Sequence, residues 1–123
     1  CEVGHFGDPA FDIGFFLTHL VLKAFRAAKS WRDYVRLTNC FWSEYEMQLA
    51  PVIGSEEFAS LQHRANWNFA GCLLARVAGK SRVDYLEEAT QALVRQCAGT
   101  LLTRVPHTWP EIVAELTPSL QGQ

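Results

Sequence analysis

The stretch DPAFDIGFFLTHLVLKAFRAA, from Asp8 to Ala28, decides the fold predicted for this chain. Asp8 is a favoured N-cap residue and Pro9 is favoured at the first helical position, so a helix is predicted to begin near Pro9. Its apolar residues lie on nearly every side, which requires other elements around it. They are Phe11, Ile13, Phe15, Phe16, Leu17, Leu20, Val21, Leu22 and Phe25. We therefore expect this helix to form the centre of the fold.

A membrane span would also be apolar, but polar groups interrupt this stretch. They are Asp12, Thr18, His19, Lys23 and Arg26. A charge at the centre of a bilayer costs at least about 2.5 kcal/mol on insertion scales. The basic residues also follow the apolar run, whereas in a signal peptide they precede it. The sequence predicts a buried helix and no membrane partner.

A second helix is predicted to begin at Trp31, after Ser30 as its N-cap. Asp33 lies three residues after Ser30, in a weaker version of the capping box. Pro51 and Gly54 are expected to end this helix. Its apolar side is rich in aromatic residues and consists of Trp31, Tyr34, Val35, Phe41, Trp42, Tyr45 and Leu49.

A third helix is predicted to begin at Ser55 and to end at Gly79. Glu56 and Glu57 in its first turn and Arg76 in its last turn match the helix dipole. Its inner face consists of Phe58, Leu61, Ala65, Phe69, Cys72, Leu73 and Val77. The spacing of these residues is helical throughout.

A fourth helix is predicted from about Asp84 to Arg104, where Pro106 stops it. Its inner face consists of Leu86, Ala89, Leu93, Cys97, Leu101 and Val105. The period of these residues again matches a helix, and no alternating pattern in the chain is long enough to indicate a strand.

A fifth helix is indicated by Thr108 and Glu111, which form a capping box. It is expected to end before Pro118, and Ser119 to Gln123 are expected to fray. The prediction is an all-α fold of about five helices packed around the first one, with residues 1–123 as a single domain.

Composition limits the classes of function. The 123 residues are 49% hydrophobic and carry a net charge of −2, which excludes a disordered tail and disfavours nucleic acid as a partner. The four cysteines form no CxxC pair, and the four histidines form no HExxH arrangement. We expect reduced thiols, no metal and a cytoplasmic location. The chain begins with Cys1 instead of Met, so we expect that a preceding segment is missing.

Two motifs resemble one known family. The segment from Gly7 to Gly14, GDPAFDIG, resembles the GDPxxDL pattern that opens a long buried helix in the aminoglycoside phosphotransferase and choline kinase-like family. The segment from Leu74 to Leu86 resembles the family's ARxxGKSPxxYL stretch, although Arg82 stands where Pro is frequent. The resemblance covers essentially the whole chain and implies the C-terminal helical subdomain of a protein-kinase-like phosphotransferase.

The resemblance also implies what this chain does not contain. The family's metal-binding Asp falls just before Cys1, and its catalytic loop, phosphate-covering loop and ATP-contacting Lys lie further upstream. Phosphoryl transfer depends on positioning and on neutralisation of phosphate charge, so their absence removes the mechanism. ATP and magnesium are implied only for the full-length family, and we assign no catalytic, cofactor-binding or metal-binding residue here.

The resemblance leaves four structural motif residues, Gly7, Asp8, Pro9 and Asp12. In the family the counterpart of Asp12 is expected to hydrogen-bond the backbone of the catalytic loop. A simpler interpretation is that Asp12 accepts from N–H groups in the first helical turn. Asp8 is interpreted as a helix cap.

Several other signals have plain structural interpretations. Gly79-Lys80-Ser81 lacks the Gly and the strand that a phosphate-binding P-loop needs, so it is read as a turn. His19 is interpreted as a core histidine, and the polar residues of the third helix as a solvated face or a substrate groove. These residues are His63, Arg64, Asn66 and Asn68.

An acceptor site would use acidic or aromatic residues, and none is assigned to it. The acidic candidates are Glu44, Glu46, Glu56, Glu57, Glu87 and Glu88, and the aromatic ones are Trp42, Tyr45 and Trp67. The sequence thus supports an acceptor-side subdomain for an unspecified small molecule, without kinase activity by itself. The alternatives are a free-standing helical interaction protein that self-associates to cover apolar surface, and a helical binding module whose motif is coincidental.

Overall fold

The computed structural model describes residues 8–27, 29–78 and 87–122, and these residues form five α-helices without any strand. The helices are α1 (Pro9–Arg26), α2 (Trp31–Ile53), α3 (Ser55–Ala78), α4 (Glu88–Thr103) and α5 (Trp109–Gln121). The predicted all-α class and the number of helices are confirmed. Within the described ranges, no helix is long and apolar enough to cross a membrane.

The start of α1 agrees with the sequence prediction. Asp8 is the N-cap residue, and one of its carboxylate oxygens accepts a hydrogen bond of 3.2 Å from the backbone N–H of Ala10. Pro9 occupies the first helical position, where its missing N–H costs nothing because no intrahelical acceptor exists for it.

The helix that contacts all the others is α3. It packs against α1, α2, α4 and α5, and its contact with α1 is the most extensive in the fold. Six of the seven residues predicted for its inner face are buried, and Cys72 is half-buried. The core therefore lies around α3, with α1 as its main partner.

The helix α1 is not surrounded on all sides, as its composition had suggested. Its inner side is buried against the other helices, including Leu17, Val21 and Phe25. Phe11, Phe15 and Phe16 remain 52%, 42% and 45% exposed. The expectation of all-round burial is wrong for the first half of α1, because the neighbouring helices cover its inner side and, among the described residues of other helices, only Phe41 of α2 makes a ring contact with one of these rings, that of Phe16.

A close crossing of α1 and α3 occurs at Gly14. A Cβ atom added at Gly14 would lie 2.8 Å from the Cβ of Asn68 and 2.8 Å from the backbone nitrogen of Phe69. One turn later, the hydroxyl of Thr18 donates to the carbonyl of Gly14 at 2.7 Å. Only a residue without a side chain allows the two backbones to approach so closely.

Three helix ends differ from the prediction, and two of the differences concern proline. Pro51 lies inside α2, which continues to Ile53 before Gly54 ends it with a φ of +94°. Pro118 likewise lies inside α5, which runs to Gln121 and buries Leu120. Proline removes the hydrogen bond to the carbonyl four residues earlier and its ring displaces that carbonyl, and both effects are confined here to the last turns of α2 and α5.

The third differing helix end is the start of α4, and the cap of α2 differs as well. Ser30 precedes α2 as expected but its side chain makes no capping hydrogen bond. The helix α4 begins at Glu88, after Glu87 as an extended N-cap residue, which is later than the predicted start at about Asp84. Asp84, Leu86 and Gly79 themselves lie outside the described residues. On α4 the predicted inner residue Ala89 is exposed, whereas Gln91, Val94 and Ala98 are buried.

The helix α5 is fixed by its first residues. The carboxylate of Glu111 accepts from the backbone N–H of Thr108 at 3.2 Å, as the predicted capping box requires. The indole of Trp109 is buried, packs edge-on against Phe69 and donates to the hydroxyl of Thr38 at 2.9 Å. This single side chain thus joins α5 to both α3 and α2.

Candidate functional site

The carboxylate of Asp8 has a second role besides capping α1. The Arg64 guanidinium donates to it twice, from Nε at 2.6 Å and from Nη2 at 3.3 Å. The Arg64 hydrogen bond is the main reason that the pKa of Asp8 lies below its ordinary value. Arg64 also donates to the hydroxyl of Ser60. This network ties the motif end of α1 to α3, and no local sequence pattern could have paired residues 56 positions apart.

Asp12, the other acidic residue of the motif, is half-buried at the edge of an exposed surface. No described residue forms a hydrogen bond or an ion pair with its side chain. It lines an open apolar groove of about 250 Å³ together with Ile13, Phe16, Phe41 and Tyr45. The structure therefore leaves the carboxylate of Asp12 available at an apolar surface.

Five aromatic rings continue this surface across two helices, and we call them the aromatic face. It consists of Phe11, Phe15 and Phe16 of α1 and Phe41 and Tyr45 of α2. Phe11 stacks on Phe15 with ring centroids 6.2 Å apart, and Phe16 lies 5.1 Å from Phe41. Phe41 in turn stacks on Tyr45 at 5.4 Å. Exposed aromatic residues in one patch are uncommon on a protein surface and indicate a contact surface.

His19 lies at one end of the aromatic face and is half-buried instead of lying in the core. Its ring meets Phe15 edge-on, with centroids 4.6 Å apart. Burial, followed by the positive charges of Arg76 and Lys23, lowers the pKa of His19. The basic residues Arg76 and Lys23 therefore lie near His19 at the C-terminal side of the aromatic face, whereas the carboxylate of Asp12 lies at its N-terminal side.

The polar residues of α3 do not form the substrate groove or the solvated face considered from the sequence. Asn66 is buried and donates to the carbonyl of Pro106 at 2.9 Å, and a ring nitrogen of His63 lies 3.3 Å from the carbonyl of Val105. Asn68 donates to the carbonyl of Arg64 within α3. Two of these four residues, His63 and Asn66, thus contact the backbone of the segment that joins α4 to α5, because this segment passes over α3.

Two further residues, which the sequence did not single out, take part in the contact between α3 and the segment that joins α4 to α5. The side-chain carbonyl of Gln62 accepts from the backbone N–H of Trp109 at 2.7 Å. The ring of His107 stacks on that of His63, with centroids 4.2 Å apart. No local sequence pattern predicts these two contacts, because each joins residues that are far apart in the chain.

The acidic candidates are not brought together at one site. Glu44 is exposed and accepts from Gln48 within α2, and the other five are exposed on α2, on α3 or at the start of α4. Among the aromatic candidates, Trp42 is buried, Tyr45 belongs to the aromatic face, and Trp67 is 52% exposed on α3. The structure gives no reason to assign an acceptor site to this set.

The described residues hold no group of three metal-ligating side chains. Cys40, Cys72 and Cys97 are free thiols, and burial raises the pKa of Cys72 and Cys97. Raised thiol pKa values disfavour the thiolate that binds metals or attacks substrates. Gly7 and the Gly79-Lys80-Ser81 turn lie outside the described residues.

Comparison of the chain with protein-family models, with curated proteins and with solved structures gave no match. Any functional statement therefore depends on the motif residues and on the geometry around them.

Proposed function

We propose that this chain is the acceptor-side helical subdomain of an ATP- and magnesium-dependent small-molecule phosphotransferase resembling aminoglycoside phosphotransferases. As this chain it has no transferase activity. The described side chains offer no cluster of ligands for magnesium, and phosphoryl transfer needs its phosphate charge neutralised. In this proposal the catalytic loop and the magnesium ligand are not among the residues of this chain.

The observation that carries this proposal is the position of Asp12. Its carboxylate lies at the edge of the aromatic face without a described hydrogen-bond donor. Partial burial of a carboxylate is unfavourable unless donors compensate for the lost hydration. A catalytic loop lying on the aromatic face would supply backbone N–H groups to Asp12 and would cover Phe11, Phe15 and Phe16.

The start of α1 supports the same proposal. Asp8 and Pro9 set the first turn of α1, and Arg64 holds that turn against α3. A metal-binding loop leading into Asp8 would then have a rigid attachment point. Rigid support of the residues around a reacting phosphate is what positioning catalysis requires. The free thiols fit a reducing, cytoplasmic location for such an enzyme.

The gene sequence upstream of the Cys1 codon tests the proposal most directly. We expect an Ile-Asp or Val-Asp pair immediately before Cys1 and an HGD-type loop further upstream. An initiator methionine immediately before Cys1, or an unrelated sequence there, would overturn the proposal.

A second test is biochemical. Purified residues 1–123 are incubated with magnesium and γ-labelled ATP, and with kanamycin, erythromycin or choline as acceptors. We expect no transfer above the rate without protein and no stoichiometric ATP binding in calorimetry. Transfer by this chain would contradict the assignment of the catalytic residues to a preceding segment.

The exposed phenylalanines also favour a second candidate function, a free-standing helical protein that self-associates. Three neighbouring rings that are 42% to 52% exposed form the kind of patch that a partner usually covers. This candidate needs no catalytic residue. It is tested by the oligomeric state of the chain.

A further inference from the structure

Along the exposed side of α1, acidic, aromatic and basic side chains follow one another in that order. Asp12, Phe15, Phe16, His19 and Lys23 follow one another at helical spacing and share one side of α1. We call these five residues the outer stripe. Each is exposed or half-buried, in contrast to the inner side of the same helix. From the N-terminus to the C-terminus, the outer stripe runs from the carboxylate of Asp12 through aromatic rings to the imidazole of His19 and the ammonium group of Lys23.

When two copies of this helix lie antiparallel, the acidic end of each outer stripe faces the basic end of the other. If two copies of α1 lie antiparallel about a twofold axis near Phe16, the aromatic centres meet each other. Asp12 of one copy then lies opposite the turn between His19 and Lys23 of the second copy. A twofold interface requires this kind of self-complementary surface.

We propose that the outer stripe is a homodimer interface in which two α1 helices pack antiparallel. The occupant of the aromatic face is thus a second copy of this chain. This inference develops the self-association candidate and does not rest on the phosphotransferase proposal. A catalytic loop over the same face is the competing occupant, and a monomeric wild-type chain would favour it.

The charged groups near the outer stripe leave the proposed pairs free to form. Asp8 is already bound to Arg64, so it does not compete for Lys23. Asp12 has no described partner, and Lys23 is exposed near His19. Arg76 adds positive charge at the same end as Lys23. The two ends of the stripe therefore carry opposite charge, which fixes the antiparallel direction.

The neighbouring helix α2 adds apolar surface to the interface. Phe16 lies against Phe41, and the groove between α1 and α2 is lined by Ile13, Phe41 and Tyr45 besides two residues of the stripe. Aromatic rings near the centre of an interface commonly carry much of the binding energy. Phe15 and Phe16 hold that position here.

Sedimentation velocity of the 123-residue chain tests the proposal. We expect a dimer at tens of micromolar, and for the variant Phe15→Ser at least a tenfold weaker dimerisation constant. Met47→Ser, at an exposed residue outside the aromatic face, is the matched control and should dimerise like the wild type. A monomeric wild type, or loss of the dimer in Met47→Ser but not in Phe15→Ser, would overturn the proposal.

Charge exchange tests the antiparallel direction independently. Asp12→Lys and Lys23→Glu each place like charges opposite one another, so each should weaken the dimer, and the double variant should restore it. An equal mixture of the two single variants should form heterodimers. Failure of the double variant to recover, with helical content unchanged by circular dichroism, refutes the antiparallel pairing. None of these outcomes alters the upstream-sequence test of the phosphotransferase proposal.

Discussion

The inner and outer sides of α1 are built from similar residues, yet they have opposite environments. Both sides carry phenylalanine, and both belong to the same 18-residue helix. Phe25 is 2% exposed among neighbouring helices, whereas Phe11 is 52% exposed. The difference arises from the neighbours and not from the residue type, because neighbouring helices cover Phe25 on the inner side whereas the described residues leave Phe11 half exposed on the outer side. A hydrophobic residue thus shows that a surface favours burial, but it does not show which partner covers that surface.

The largest expected effect is a difference in the free energy of unfolding between variants on the inner side and the outer side of α1. Phe25→Ala removes a buried ring and should lower the free energy of unfolding by about 3–5 kcal/mol, as large-to-small core changes do. Phe11→Ala, at the exposed side, should cost clearly less. Urea denaturation followed by circular dichroism measures both. Equal losses would mean that the two sides are not different in the folded protein.

A smaller effect is expected at the close crossing of α1 and α3. Gly14→Ala introduces a Cβ within 2.9 Å of three atoms of α3 and should cost about 1–3 kcal/mol, because part of the backbone must move. Gly71→Ala is the matched control, since nothing lies within 4 Å of its added Cβ. That control should gain up to about 1 kcal/mol from helix propensity. Thermal melts of the two variants should therefore shift in opposite directions.

The cap at the start of α1 should contribute less than the crossing. Asp8→Ala removes the cap and should lower the free energy of unfolding by about 1 kcal/mol. Since the folded pKa of Asp8 is lowered, its stabilisation is present above the ordinary carboxyl pKa and is lost as pH falls through the folded value, below about pH 4. A carboxyl-carbon NMR titration measures this pKa directly. In Arg64→Gln it should rise, and an unchanged value would contradict the ion pair.

The smallest effect on stability is expected on the outer side. Phe15→Ser changes an exposed ring and should alter the free energy of unfolding of the dissociated chain by no more than about 0.5 kcal/mol. Denaturation at the lowest measurable concentration isolates this term from any association. A loss comparable to that of Phe25→Ala would show that a part of the chain covers Phe15.

Local sequence signals were sufficient for most of the fold. Asp8 with Pro9 and Thr108 with Glu111 identified two helix starts, since a cap acts within four residues of itself. Helical spacing also identified the inner face of α3. Prolines misled the prediction of two helix ends, because Pro51 and Pro118 lie where a lost hydrogen bond is tolerated.

The candidate site was predicted less completely. The motif residues Asp8 and Asp12 were found from the sequence, but their surroundings were not. Arg64 was noticed as a polar residue of α3 without its partner Asp8. Phe41 and Tyr45 pack against the core, as predicted for the inner face of α2, but the sequence does not show that they also border the exposed rings of α1. Such pairings depend on how helices cross, which helical periodicity does not contain.

By itself the sequence determined the all-α class, the number of helices, the positions at which most of them begin, and the apolar character of α1. These properties are local, because caps and helical periods act over a few residues. Only the tertiary structure decided which side of α1 is covered, how closely Gly14 approaches α3, and that Asp8 meets Arg64. These properties depend on packing between segments distant in sequence, where the shapes of both partners decide which contacts form.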